Sequence, residues 1–159
     1  MTRVRAEIVY EPEVAEKPLL EGVSIYQMYL LHSKADRVLR SAVSGQLDGF
    51  ELSLAEWLLL SVVSEGPDQG LSLSEIARRL DVSQPQVTAL MAAISGRKLV
   101  KQRTQRHDRR SRHVSLSVRG QRLLEQAEYA VMEKMPELMR GISRKQLAAY
   151  LETIRHIQT

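Results

Sequence analysis

Five arginines (Arg103, Arg106, Arg109, Arg110 and Arg112), two histidines (His107 and His113) and a single carboxylate, Asp108, fall within the stretch Gln102 to Ser117, QRTQRHDRRSRHVSLS. Like charges repel, so such a cluster costs folding stability unless a polyanion or bulk solvent takes up the field. Guanidinium groups at this density suit the recognition of phosphates. Other chemistries fit less well. His107, His113 and Asp108 are potential metal ligands, but exposed histidines in a polar loop more often meet phosphate or solvent, so no metal site is assigned. The chain contains no cysteine, which excludes disulfides, thiolate metal sites and cysteine nucleophiles. No Ser-His-Asp order, phosphate loop or pair of catalytic carboxylates in a plausible cleft is evident. Neither an enzyme nor a bound cofactor is expected.

The charge is unevenly spread. Gly96 to Arg122 holds ten Lys and Arg against Asp108 alone, a net +9, whereas the whole chain of 159 residues carries only +4. The remainder is therefore acidic, at −5. A positive lobe on an acidic body points to a polyanion partner at one end, the plain alternative being a solvated charge run. The length suits one ordinary domain with a real core. Glu7, Glu11, Glu13, Glu16 and Glu21 interrupt the first thirty residues, and no apolar run approaches the roughly 18 needed to span a membrane. A soluble, cytoplasmic protein without a membrane partner is expected.

The elements that must position the cluster are mostly helical. Residues 1–18 read as an arm, with RVRAEIVY alternating like a short strand and Pro12 and Pro18 forbidding a continuous helix. A helical pattern runs from about Leu19 to Ser44 through Ile25, Met28, Leu31, Ala35, Val38 and Leu39. Four helix starts share a Ser followed three residues later by Glu or Gln: Ser53–Glu56, Ser72–Glu75, Ser83–Gln86 and Ser143–Gln146. Each pair predicts a capping box.

LSLSEIARRLDVSQPQVTALMAAISG contains two short helices separated by DVS, burying Ile76, Ala77 and Leu80 on the first and Val87, Leu90, Met91 and Ile94 on the second. The spacing predicts a helix-turn-helix whose second helix enters the DNA major groove. LVKQR and RHVSLS then read as strands with Leu99, Val114 and Leu116 facing inward, joined by the polar TQRHDRRS. A helix-turn-helix followed by such a hairpin is a winged helix, and the wing tip carries the arginines away from the body, towards phosphates and a minor groove. A long helix follows from Ser117, and a last one from Ser143 places Leu147, Tyr150, Leu151, Ile154 and Ile157 on one stripe. These apolar faces exceed what a winged helix needs for itself, so a second copy of the chain is the expected partner. The fold class is mainly α with a small β-wing: a winged helix-turn-helix over 51–120, a helical dimerisation region over 19–50 and 121–159, and the arm at 1–18.

The segments LSLAEWLLL, LSLSEIARRLDVSQPQVTALM, LVKQR, DRR and VSLSVRGQRLL, in this order and spacing, resemble the MarR family of bacterial transcription regulators over about Leu52 to Leu124. The resemblance implies a homodimer of winged-helix lobes on a helical body, bound to a pseudo-palindromic operator in double-stranded DNA. It also implies that Asp108 orients the wing arginines and that Arg110 reaches the minor groove. Two departures stand out. Lys98 occupies the place where the family usually has glycine, so the helix ends early or Lys98 turns left-handed. The recognition helix also lacks a central basic residue, leaving Gln84, Gln86 and Thr88 to read bases, with a preference for A·T. Arg109 and Arg110 are assigned to the minor groove, and Ser72, Arg103 and Arg112 to phosphates. Tyr26, Tyr29, His32 and Trp57 would line a cavity of the kind in which relatives bind small aromatic anions, although aromatics at helical spacing are more simply core or dimer interface. The expected function is transcriptional repression released by a small aromatic or anionic ligand. The alternative is a winged-helix interaction module that binds an acidic protein partner rather than DNA.

Overall fold

The computed structural model describes residues 24–104 and 112–157. The expected arm at 1–18 and the wing-tip residues Asp108, Arg109 and Arg110 lie outside this range. Two compact units, Met1–Val38 and Leu39–Thr159, divide the chain. Helix α1 spans Ile25–Leu47 and gives its residues up to Val38 to the first unit. After a 3-10 turn at Asp48–Phe50 come α2 (Leu54–Ser64), β1 (Leu71–Ser72), α3 (Leu73–Leu80) and α4 (Gln84–Gly96). Strands β2 (Val100–Thr104) and β3 (Arg112–Leu116) precede α5 (Val118–Leu138) and α6 (Arg144–Ile157).

The serine signatures work as helix starts. Ser53 and Glu56 form a full capping box, with the Glu56 backbone N–H donating to Ser53 Oγ at 3.2 Å and the Ser53 N–H donating to Glu56 Oε2 at 2.8 Å. Ser143 and Gln146 repeat it at 2.9 and 3.2 Å. Ser72 forms only half of the expected box. Its hydroxyl accepts from the Glu75 N–H at 3.2 Å, but the Glu75 carboxylate turns away to Arg78 and Arg79, whose full charges outcompete a backbone amide.

The helix ends follow a rule that the sequence hides. Glu51, Asp81 and Lys98 are the non-glycine residues with positive φ among those described, at 54°, 53° and 58°. Each closes a helix in the same way. The next residue donates its N–H five positions back, Leu52 to Leu47, Val82 to Ala77 and Leu99 to Ile94, at 3.3, 3.0 and 3.3 Å. Those following residues are apolar and packed inward, Leu52 and Leu99 fully so. This is the Schellman closure, in which glycine is the usual left-handed residue. Burial of the following leucine, about 1.5–3 kcal/mol for a full side chain, exceeds the roughly 1–2 kcal/mol cost of the left-handed residue. Both expectations for Lys98 are met: α4 ends early, at Gly96, and Lys98 is left-handed.

The sheet order is β1-β3-β2, antiparallel throughout. β1 was not expected; it adds Leu71 opposite Val114 and Ser72 opposite His113. Leu71, Val114 and Leu99 are buried with Ile76, Val87, Met91 and Ile94 of the helix pair and Leu59, Leu60 and Val63 of α2. From α5, Leu124, Ala127 and Val131 close this core. Gly120 explains how α5 comes so near the turn after α4, because a Cβ there would lie 1.9 Å from the carbonyl oxygen of Leu99. In α6 every described residue except Ile154 is exposed, including Leu147, Tyr150 and Leu151. Among the described residues no helix is long and apolar enough to cross a membrane.

Candidate nucleic-acid interface

The turn between α3 and α4 comprises Asp81, Val82 and Ser83, and it places α4 with one face in the core and one in solvent. Val87, Met91 and Ile94 are buried, whereas Gln84, Pro85, Thr88, Ala89, Ala92 and Ala93 are exposed. The exposed face is uncharged, and past its first turn it is small-chained. Such a helix can approach base edges closely, and its alanine and threonine methyls can touch thymine methyl groups.

The three sequence-assigned readers differ in what they have left to offer. Gln86 Oε1 accepts from the Ser83 N–H at 2.9 Å and from the Ser83 hydroxyl at 2.8 Å, capping the helix. Only its amide donors are then uncommitted, so bidentate pairing with adenine would require breaking the cap. The Thr88 hydroxyl donates to the Gln84 carbonyl at 3.0 Å, which leaves its methyl group and lone pairs. Gln84, exposed at the first turn, keeps its whole carboxamide.

The sheet brings together residues far apart in sequence. Ser72 pairs with His113, and His113 with Arg103, so the three side chains share one face across β1, β3 and β2. Lys101 and Ser115, the next pair along, continue that face. A groove of about 320 Å³ runs beside it, lined by Lys101, Arg103, Ser115, Gln121 and Ser64 among others. Arg103 and Lys101 are exposed there. Arg112, opposite Thr104, belongs to the other face of the ribbon, so the two phosphate-assigned arginines of the strands flank the wing on both sides. Ser72 Oγ is committed to its cap and lies 3.0 Å from Ser74 Oγ, so Ser72 fixes the α3 N-terminus.

Two cations escaped the sequence reading. Arg78 donates to both carboxylate oxygens of Glu75, at 2.7 and 3.1 Å, and Arg79 donates to Glu75 Oε1 at 2.9 Å. These hydrogen bonds, that of Arg78 foremost, hold the Glu75 carboxyl down at about 2, and the same contact raises Arg78. One carboxylate thus orients two guanidiniums on the helix before the recognition helix. The spacing Glu75, Arg78, Arg79 was the available signal, since residues three and four apart share a helix face.

The remaining assigned residues are placed as follows. Asp108, Arg109 and Arg110 lie outside the described residues, as does His107. Among the described residues no group of His, Asp and Glu is arranged to hold a metal. Tyr26 and Tyr29 are 73% and 72% exposed, and His32 follows them at helical spacing in the first unit. In the second unit Trp57 is half-buried against the core, and its indole N–H is buried without a partner among the described residues.

Comparison with known proteins agrees with this fold. The family model described as the MarR family matches residues 50–111. Among solved structures, the transcriptional repressor CouR bound to a 23-mer DNA duplex is similar at 23% identity and a TM-score of 0.75, covering 94% of this chain and 99% of that one. A MarR-family transcriptional regulator from Rhodococcus sp. RHA1 is 19% identical with a TM-score of 0.75, covering 89% and 96%. A MarR family protein of Mycobacterium tuberculosis in complex with p-aminosalicylic acid is 25% identical with a TM-score of 0.63, covering 82% and 97%.

Proposed function

We propose that this chain, whose winged-helix region is that of the MarR family, is a repressor that binds a pseudo-palindromic operator as a homodimer. The observation that carries the reading is α4, which buries one face completely and offers Gln84, Thr88, Ala89 and Ala92 uncovered, followed directly by a strand ribbon that carries Lys101, Arg103 and Arg112. Gln84 supplies the one free carboxamide for a base edge, and Thr88, Ala89 and Ala92 supply apolar contact to thymine. Gln86 holds the helix start and donates only through its amide. Arg103 and Arg112 bind phosphates from opposite faces of the wing ribbon, and Ser72 fixes the start of α3 nearby. Arg109 and Arg110, oriented by Asp108, extend the contact into the minor groove, where guanidinium groups are favoured by its negative potential.

Dimerisation is supported by the exposed stripe of Leu147, Leu151 and Ile157 on α6, more apolar surface than a monomer keeps uncovered without reason. Two-fold symmetry of the protein then requires an inverted repeat in the DNA. A small aromatic anion as the releasing ligand is supported by the p-aminosalicylic acid complex of the mycobacterial relative. Trp57, with its unpartnered indole N–H, is the proposed contact on the Leu39–Thr159 unit.

Selection of bound sequences from a random duplex library tests the reading. An A·T-leaning inverted repeat should be recovered, and if a dimer neutralises about eight phosphates, the log–log dependence of affinity on salt should have a slope near −7. Absence of binding to any duplex would return the chain to the acidic-protein-partner reading.

A further inference from the structure

The turn that follows the recognition helix is tied to both of its neighbours. Arg97, the last residue before left-handed Lys98, donates from Nη1 to the Glu51 carbonyl at 2.5 Å and from Nη2 to the Phe50 carbonyl at 2.9 Å. Those carbonyls belong to the Schellman closure that ends the 3-10 turn after α1, where left-handed Glu51 precedes buried Leu52. On the other side, the Ser117 hydroxyl donates to the Lys98 carbonyl at 2.7 Å, and the Ser117 N–H donates to the Leu99 carbonyl at 2.9 Å. Arg97, Lys98 and Leu99 therefore join the segment arriving from α1, the recognition helix and the start of α5.

We propose that Arg97 is a positioning residue, which holds the C-terminal end of the recognition helix against the α1–α2 junction and does not contact DNA. This rests on the reading of α4 as the DNA-reading helix. Helix ends leave carbonyls without partners, and a planar guanidinium with two parallel donors satisfies two of them while meeting the negative end of the helix dipole. The need for such a hold follows from α4 itself. Its sequence QPQVTALMAAISG contains no charged residue, so none of its own side chains can make a charged anchor on the phosphates. Beyond the core packing of Val87, Met91 and Ile94, its orientation is set at its ends: the Ser83–Gln86 cap at the start and the Arg97 fork at the finish. The left-handed residues Glu51 and Lys98 stand at the two turns that the fork joins, Glu51 supplying one acceptor carbonyl and Lys98 following Arg97.

The test compares full-length wild type with Arg97→Ala and Arg97→Lys. Hydrogen exchange of the amides from Ile94 to Leu99, and of Leu52, should accelerate at least about tenfold in Arg97→Ala, with α6 unchanged. Affinity for the selected duplex should fall on the order of tenfold to a hundredfold, more than for scrambled duplex, with the salt slope unaltered. Arg97→Lys, which keeps the charge but reaches one carbonyl at a time, should recover part of the affinity and part of the protection. A salt slope shallower by about 2 for the dimer, with equal losses on both duplexes, would make Arg97 a phosphate contact and overturn the proposal. So would unchanged exchange in Arg97→Ala. If wild type binds no duplex, the DNA reading fails by itself, and the exchange arm still decides whether Arg97 holds the helix. Should Arg97→Ala not fold, Arg97→Gln, which retains a single donor group, takes its place in both arms.

Discussion

Lys98→Gly should stabilise the protein even though it deletes an entire side chain. Lys98 has φ of 58°, and it carries the N–H donated to the Ser95 carbonyl at 2.9 Å that closes α4. A left-handed L-residue costs about 1–2 kcal/mol, which glycine does not incur. Against this, glycine loses more freedom on folding, about 0.4–1 kcal/mol. The lysine is exposed, so removing it sacrifices no core packing. The balance is a gain of about 0.5–1 kcal/mol, and at this chain length that raises Tm by about 1–4 °C. Thermal melts followed by circular dichroism, at matched protomer concentration because association shifts Tm, give the measurement. Lys98→Val is the control: a β-branched residue at positive φ is more strained than lysine, so its Tm should fall. A lower Tm for Lys98→Gly would mean that the lysine makes a contact in solution worth more than its backbone strain, and would refute the reasoning. Equal Tm values for Gly, Lys and Val would show that the position is not left-handed in solution.

Gly120→Ala places a Cβ 1.9 Å from the Leu99 carbonyl oxygen, so α5 or the turn must move; calorimetry should show a loss of about 3 kcal/mol, the upper end for overpacking. Glu75→Gln should lower stability by an amount that depends on pH. Glu75 is held near 2 when folded, against 4.5 as its ordinary value, so the difference from wild type should be full above pH 4.5 and vanish as pH falls through 2; pH-resolved melts that run parallel down to pH 2 would contradict it. Arg110→Ala should weaken DNA binding with Tm unchanged, and an equal loss of Tm would make Arg110 structural. Leu151→Asp should yield monomer or aggregate in light scattering, because a charge would be buried unpaired in the interface. If α6 is free of partners, Leu151, already 45% exposed, should tolerate aspartate without change in mass or Tm.

The helix starts were legible in the sequence and the helix ends, that at Lys98 apart, were not, and the asymmetry has a physical origin. A start is marked by a side chain that makes the bond itself, as Ser53 and Glu56 do, so residue type and spacing reveal it. An end is marked by backbone conformation, and the sequence advertises that only when glycine supplies it. Here Glu51, Asp81 and Lys98 adopt the conformation instead, and the residues that pull them there, Leu52, Val82 and Leu99, look like ordinary core. β1 was invisible for a related reason: Leu71 and Ser72 are too few for any periodicity and are a strand only because β3 lies alongside. Within the candidate site, exposure and charge were readable for Gln84, Arg103 and Arg112, since both follow from residue type and position. What a polar side chain has already spent was not. Gln86 and Glu75 stand at the same place in identical Ser-x-x-Gln/Glu signatures, yet one caps its helix while the other turns to two arginines. The difference lies three and four residues further on, where Arg78 and Arg79 offer Glu75 a stronger partner and Ala89 and Leu90 offer Gln86 none. Capping and charge pairing compete for the same side chain, and the competition is won by whichever donor carries the charge.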